Sequence, residues 1–149
     1  MLNQLYRNLG NGRFEDVSPR AGKVFTLNEV SRGAAFGDID NDGDEDVLIG
    51  NAAGPARLLI NNIGNRNHWV GLRLAAGVPG KGVSSGQALR DQIGARVEII
   101  RKSGGPLWRR ARSDGSYASA NDPRVLVGLG RSADPVRLRV SWPSGKTEE

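Results

Sequence analysis

One stretch of nine residues constrains this chain more than any other: residues 38–46, which read D-I-D-N-D-G-D-E-D. Aspartates occupy alternate positions, a glycine follows the third of them, and a last carboxylate comes three residues after the glycine. A hard cation such as Ca²⁺ takes roughly six to eight oxygen ligands at about 2.3–2.6 Å, which short Asp side chains on a tightly turning backbone can supply. Gly43 stands where the chain must turn sharply. The pattern D-x-D-x-D-G-x-x-D therefore predicts a calcium loop, and the alternative is a solvated acidic turn.

The residues on either side decide which kind of calcium loop this is. An EF-hand has a helix on each side and a Glu at its twelfth position. Here the twelfth position is Ile49, and residues 32–37 before the loop are rich in glycine. The apolar run 47–50 favours a buried strand, so the loop is predicted to join two strands. Asp44 is expected to offer its backbone carbonyl to the cation. The expected side-chain ligands are Asp38, Asp40, Asp42 and Asp46.

Short apolar runs separated by Gly, Asn, Asp and Pro make up the rest of the chain, without a long helical stripe of apolar residues. Glycine supplies 21 of the 149 residues, about twice its usual share, which favours many short strands joined by turns. The predicted fold class is all-β, and one weak helix is predicted over residues 87–92. Strands are predicted over residues 34–37, 46–50, 57–61, 68–74, 94–101, 107–112, 124–128 and 136–142.

The stretch RGAAFGDIDNDGDEDVLIGNAAGPARLLINN (residues 32–62) resembles one FG-GAP (VCBS-type) repeat. Residues 5–22, LYRNLGNGRFEDVSPRAG, resemble the end of a preceding repeat and the link to the next. The resemblance implies a calcium-binding blade of an integrin-like β-propeller.

Three further motifs resemble the ASPIC/UnbV domain, and they occur in that family's order. They are RDQIGARVEI (90–99), GSYASANDPRVLVGLG (115–130) and VSWPSG (140–145). This domain follows FG-GAP repeats in many bacterial secreted proteins and in the cartilage acidic protein family. The resemblance implies an FG-GAP/VCBS-type region over 1–62 and an ASPIC/UnbV-like β domain over 63–149. The implied architecture is a partial β-propeller blade, or blades, packed on a small C-terminal antiparallel β-sandwich or barrel-like domain.

A solitary blade cannot close a propeller ring and leaves its neighbour-facing surface uncovered. The apolar runs 47–49 and 58–60 are therefore expected to pack on the C-terminal β domain. Two alternatives are a homodimer and a chain that is a piece of a full propeller. The family's habit of secretion implies a secreted or cell-surface protein, although residues 1–17 do not resemble a signal peptide. No apolar run is long enough to span a membrane.

Basic residues dominate the chain outside the acidic loop. The formal net charge is +5, yet six of the 16 acids lie in the loop, which leaves ten acids against 21 Lys and Arg residues. The densest basic run contains Arg109, Arg110 and Arg112 beside Trp108. Clustered arginines near an aromatic ring favour an anionic polysaccharide partner, and the alternative is the solvated face of a strand. Patterns of sequence-specific nucleic-acid binding domains are absent from the sequence.

Catalytic signatures are few. The sequence has a single histidine, His68, and no serine in a G-x-S-x-G setting. We therefore predict that this chain is not an enzyme. The best remaining candidate is a small polar pocket around the run YASAND, for a sugar or a second cation, and the alternative is turn chemistry before Pro123. The residues of this predicted pocket are Asp114, Tyr117, Asn121 and Asp122.

Two functions from different classes follow. The first is a non-enzymatic, calcium-binding extracellular module for binding or adhesion, with a polysaccharide or protein ligand. The second is a small-molecule-binding accessory protein of a biosynthetic, enediyne-type pathway, as the UnbV resemblance implies. A deep pocket lined by Trp69, Tyr117 and Trp142 would favour the second, and a flat basic face would favour the first. Non-specific polyanion binding is a third option, and added salt would abolish it.

Overall fold

The computed structural model describes residues 1–77 and 89–149 of the chain. Within them the regular elements are short antiparallel strands and three single-turn 3₁₀ helices, so the predicted all-β class is confirmed. The strands are β1 (Tyr6–Gly10), β2 (Arg13–Asp16), β3 (Ser31–Gly37), β4 (Asp46–Asn51), β5 (Arg57–Leu59), β6 (His68–Leu72), β7 (Ala75–Ala76), β8 (Arg90–Asp91), β9 (Arg96–Ile100), β10 (Leu107–Arg110), β11 (Val125–Gly130), β12 (Arg137–Ser141) and β13 (Thr147–Glu148). The 3₁₀ helices are Ser18–Arg20, Lys23–Thr26 and Gly64–Arg66.

Each of the eight predicted strands has a counterpart, with ends that differ by a few residues. The helix predicted over 87–92 is wrong in its described part, because Arg90–Asp91 form β8 and pair with Ala75–Ala76. Residues 87 and 88 lie outside the described part of the chain. No helix in the described part is long and apolar enough to cross a membrane.

The N-terminal half contains a hairpin and a three-stranded sheet. Strands β1 and β2 pair across the turn at Asn11-Gly12, where both residues have positive φ, as the common Asn-Gly hairpin turn requires. The sheet has the order β3-β4-β5. Ile49 of β4 is buried, but Leu48 and its cross-strand partner Leu58 are 44% and 51% exposed.

The hydrophobic core belongs to the C-terminal half. Its sheet has the order β10-β9-β12-β13, and β11 pairs with β6 beside it. Val97 and Ile99 of β9 and Val127 of β11 are almost completely buried in this core, with Leu74, Ala95, Ala111 and Val125 around them. Residues of β4 and β5 are not part of this cluster. The apolar runs 47–49 and 58–60 therefore lie outside the C-terminal core. The contacts between the two halves include hydrogen bonds of Asn121 and Arg124 and the packing of the Trp69 ring against Gly43.

A bidentate ion pair ties the start of β3 to β5. The Arg57 guanidinium donates to both carboxylate oxygens of Glu29, and the Asn51 side-chain amide donates to the same carboxylate. The hydrogen bonds from Arg57 lower the pKa of Glu29 below its ordinary value of 4.5. A carboxyl whose pKa is lowered by folding binds fewer protons in the folded than in the unfolded chain. Its stabilising effect is therefore complete above about pH 4.5 and is lost as the pH falls through the lowered pKa.

We expect Glu29→Gln to destabilise the chain at pH 7 and to have a smaller effect at pH 3, because the stabilising effect of the wild-type carboxyl declines as the pH falls below 4.5. Urea unfolding of both proteins at the two pH values measures the difference. Glu15→Gln is the control, since Glu15 pairs with Arg20, whose side chain is 65% exposed, and such surface pairs contribute little. An equal loss from Glu29→Gln at both pH values would contradict the linkage.

Candidate metal centre and the adjoining cavity

The loop between β3 and β4 turns around the carboxylate of Asp38. Asp38 is buried, and its two oxygens accept the backbone N–H groups of Asp42 at 3.0 Å and Gly43 at 3.1 Å. Asn41 and Gly43 have positive φ, which bends the chain back on itself. The result is that one oxygen from each of Asp38, Asp40 and Asp42 lies within 4.8 Å of the others.

Asp46 fixes the other end of the loop. Its side chain is 1% exposed, and its carboxylate accepts the backbone N–H of Ile39 at 2.9 Å and of Asn61 at 2.8 Å. The same carboxylate thus joins the loop to the residues that follow β5. Each carboxylate oxygen can accept more than one hydrogen bond or cation contact, so these bonds leave Asp46 able to ligate a metal.

Asp44 is buried beside the 3₁₀ helix Gly64–Arg66. One carboxylate oxygen, Oδ2, accepts the backbone N–H of Asn65 at 3.1 Å, and the other, Oδ1, is buried without a hydrogen-bond partner in the described structure. Burial raises the pKa of the Asp44 carboxyl. The structure therefore holds Asp44 by its side chain, and ligation through its backbone carbonyl stays a prediction.

The charges of the loop repel one another. Loss of water around Asp40, followed by the nearby charges of Asp42 and Asp46, raises the pKa of the Asp40 carboxyl. A divalent cation among these oxygens would remove this repulsion. The five predicted ligand residues supply oxygen atoms alone, which suits a hard cation such as Ca²⁺.

Trp69 of β6 lies directly against the loop. A Cβ atom built on Gly43 would stand 2.0 Å from Nε1 of the Trp69 indole, so position 43 has no room for a side chain. This contact crosses 26 positions of sequence, and no local pattern could predict it.

Arg124 connects the loop to the C-terminal half. Its guanidinium donates to the backbone oxygen of Asp38, to Oδ1 of Asn41 and to Oδ2 of Asp122. The sequence does not predict this role of Arg124, because its partners in the loop lie more than 80 positions away.

The segment before Arg124 covers the free edge of β3. The backbone N–H of Asp122 donates to the Phe36 carbonyl at 2.9 Å, and the Phe36 N–H donates to Oδ1 of Asn121 at 3.0 Å. These bonds satisfy edge groups of a sheet that would otherwise be free to pair with another chain.

A cavity of about 460 Å³ opens beside this junction. Two residues of the predicted polar pocket, Asn121 and Asp122, line this cavity. The three arginines predicted to bind a polyanion line the same cavity. Tyr117 does not join them and is 78% exposed, and the Asp114 side chain is 71% exposed near Arg110. The arginines lining the cavity are Arg109, Arg110, Arg112 and Arg124.

Trp69, Tyr117 and Trp142 do not line one common pocket, which was the arrangement that would favour a small-molecule function. Trp142 packs against the C-terminal core, whereas Tyr117 is exposed to solvent. Trp69 lies against the loop and lines a second cavity of about 250 Å³ together with Asp38 and Arg124.

Two family models match this chain. Residues 2–49 match the FG-GAP-like repeat, and residues 84–149 match the family described as ASPIC and UnbV. The two resemblances seen in the sequence are therefore confirmed. The whole loop, residues 38–46, lies in the first matched segment, and Arg124 lies in the second together with the other arginines of the cavity.

Two curated relatives match part of this chain. The chain is 41% identical to cartilage acidic protein 1 of Mus musculus over 58 residues, which are 39% of this chain and 9% of that protein. It is 38% identical to cartilage acidic protein 1 of Xenopus tropicalis over 58 residues, again 9% of the relative. The match thus spans about a tenth of the length of each relative.

Proposed function

We propose that this chain is a non-enzymatic, calcium-binding module of an extracellular protein, in which Ca²⁺ holds the loop between β3 and β4. The observation that carries the proposal is the convergence of Asp38, Asp40 and Asp42, whose oxygens lie within 4.8 Å of one another. Asp46 and the backbone carbonyl of Asp44 complete the proposed ligand set. Calcium would supply no chemistry there beyond charge neutralisation and geometric constraint.

Two further observations support a cation at this place. The buried Oδ1 of Asp44 has no hydrogen-bond partner in the described structure, which is costly for a carboxylate unless it is neutralised. The pKa of Asp40 is raised first by loss of water around its carboxyl and then by the uncompensated negative charges of Asp42 and Asp46. A divalent cation among Asp38, Asp40 and Asp42 would offset the repulsion at Asp40 directly, and its field would also favour the charged form of the Asp44 carboxylate beside them.

An extracellular, non-enzymatic role is supported by the comparisons and by the sequence. The matching families are a repeat and an accompanying domain, and the relatives are named for cartilage, whose matrix is extracellular. The one histidine, His68, is exposed at the start of β6. A secreted or cell-surface location follows from this proposal.

Calcium binding is tested directly by calorimetric titration. We expect one site with a dissociation constant of about 10⁻⁴ to 10⁻³ M, as is usual for extracellular calcium modules, and much weaker binding of magnesium, which prefers fewer and shorter oxygen contacts. The double variant Asp40→Ala, Asp42→Ala should lose the site. Glu45→Gln is the matched control, since Glu45 lies in the same loop but outside the proposed ligands. Equal binding by both variants would contradict the proposed site.

A protein ligand or a second copy of the chain would find an apolar surface on the N-terminal sheet. Leu48 and Leu58 stand opposite each other there and are about half exposed. Sedimentation of the chain alone distinguishes a dimer from a monomer, and Leu58→Ser should dissociate a dimer that uses this face.

A further inference from the structure

Positive side chains dominate the cavity beside the metal loop. Four arginines line its wall, from the strand β10 and from the segments on both sides of Asn121, whereas Glu45 and Asp122 are its acidic lining residues. Asp122 is already paired with Arg124 at 2.6 Å. The cavity therefore carries an excess of positive charge that the protein itself does not neutralise.

A shallow groove extends the cavity along the C-terminal sheet. Arg96, Trp108, Arg109 and Arg110 line this groove, so it shares Arg109 and Arg110 with the cavity. Arg96 of β9 stands directly opposite Arg110 of β10. Like charges directly opposite each other destabilise a sheet, and an anion between them would reverse the sign of that interaction.

Most of these guanidinium groups are free to bind a ligand. Arg96, Arg109 and Arg112 are exposed and make no ion pair with any residue of the described ranges. Arg110 has one distant acidic neighbour, Asp114 at 3.5 Å. Guanidinium groups pair with carboxylate and sulfate groups through two parallel hydrogen bonds, so a row of them suits a ligand with repeated acidic groups.

The remaining lining residues suit a sugar rather than a phosphate chain. Phe36 in the cavity and Trp108 in the groove are 38% and 53% exposed, and each offers a flat apolar surface. Glu45 and Asn121 offer oxygen acceptors for the hydroxyl groups that sugar rings carry. Acidic groups, ring faces and hydroxyls occur together in acidic saccharides.

We propose that the cavity and its groove bind an acidic saccharide chain, with its carboxylate or sulfate groups on the arginines and its sugar rings against Phe36 and Trp108. The inference rests on the proposed function of a binding module and names its ligand class. The carboxylate or sulfate of such a chain would also bridge Arg96 and Arg110.

Binding is measured by calorimetry with two probes, a heparin hexasaccharide and a hyaluronan hexasaccharide, in saturating calcium. A preference for heparin assigns sulfate as the recognised group, and equal binding assigns carboxylate. We expect Arg109→Gln, Arg112→Gln to weaken binding of the recognised probe by at least about tenfold, since each hydrogen-bonded charge contributes substantially to affinity. Glu45→Gln should strengthen binding severalfold, because it removes a negative charge from the cavity wall.

The matched control is Arg7→Gln, Arg13→Gln, which removes the same charge from exposed residues of the β1–β2 hairpin. This variant should change the affinity less than about twofold. If the two double variants lost the same affinity for the saccharide, net charge alone would explain the effect, and the inference would be overturned. A further comparison uses single-stranded DNA of the same charge as the saccharide. If this DNA bound as tightly as the saccharide, and through Arg109 and Arg112, the saccharide assignment would be overturned.

A calcium titration of the same samples separates this inference from the metal site. Calcium binding without saccharide binding overturns the ligand assignment alone. Saccharide binding through Arg109 and Arg112 that persists in a chelator, in a chain that binds no calcium, supports the cavity and contradicts the metal site.

Discussion

Calcium is expected to raise the free energy of unfolding of this chain by about 2.7 kcal/mol when its free concentration is about 100 times the dissociation constant. The effect is large because the folded chain gathers the carboxylates of Asp38, Asp40 and Asp42 within 4.8 Å, whereas the unfolded chain does not. Urea or thermal unfolding in calcium, in magnesium and in a chelator measures the difference. Magnesium should stabilise the chain far less.

The variant Asp40→Ala, Asp42→Ala is expected to lose this response. In a chelator it also lacks the hydrogen bonds that the Asp42 carboxylate accepts from the Asp44 backbone N–H and the Asn65 side-chain amide. Removing two mutually repelling charges offsets part of that loss, in accord with the raised pKa of Asp40, to which loss of water around the carboxyl contributes most and the charges of Asp42 and Asp46 next. Glu45→Gln should keep the full calcium response. An unchanged melting temperature of the wild type at millimolar calcium would leave the loop as an acidic turn.

Gly43→Ala is expected to destabilise the chain by about 2–5 kcal/mol, from left-handed backbone strain together with overpacking. Gly43 has φ +96°, and an added Cβ would stand 2.0 Å from the indole of Trp69. Urea unfolding in a chelator measures the effect without a contribution from calcium.

Two further variants separate the causes. Gly50→Ala in β4 is the control, because a Cβ at that position meets nothing within 4 Å. Combining Gly43→Ala with Trp69→Ala should relieve the clash but not the backbone strain, so the two substitutions should cost less together than the sum of their separate effects. A Gly43→Ala variant as stable as Gly50→Ala would contradict the observed contact.

The parts of the fold that sequence could predict are those with local patterns. Apolar runs bounded by turn residues revealed eight strands, and the spacing of the aspartates revealed the loop. Five strands were missed. The strands Ala75–Ala76, Arg90–Asp91 and Thr147–Glu148 have two residues each and show no periodicity, and β1 and β2 were missed as well. The surroundings of the loop were missed for a different reason. The contacts of Arg124 with Asp38 and Asn41 depend on how distant strands pack, and no property of the local sequence encodes them.

For the candidate cavity, the sequence likewise indicates individual residues but not the way in which they come together. Arg109, Arg110 and Arg112 stand out as a dense basic run, and Asn121 and Asp122 as a polar run before a proline. That they face one cavity depends on the β9–β10 pairing and on the bonds of residues 121 and 122 to Phe36. Arg96 could join the prediction only once its register opposite Arg110 was known.

The two segments that match known families do not contain all the contacts on which their own parts of the fold depend. The FG-GAP-like match ends at residue 49, yet the backbone groups that hold Asp46 and Asp44 come from Asn61 and Asn65. The ASPIC and UnbV match begins at residue 84, yet its strand β11 takes β6 as its partner. Asn61, Asn65 and β6, which lie between the two matches, thus supply partners to both matched segments. A protein engineered to carry either segment without them would leave buried groups of that segment unpaired.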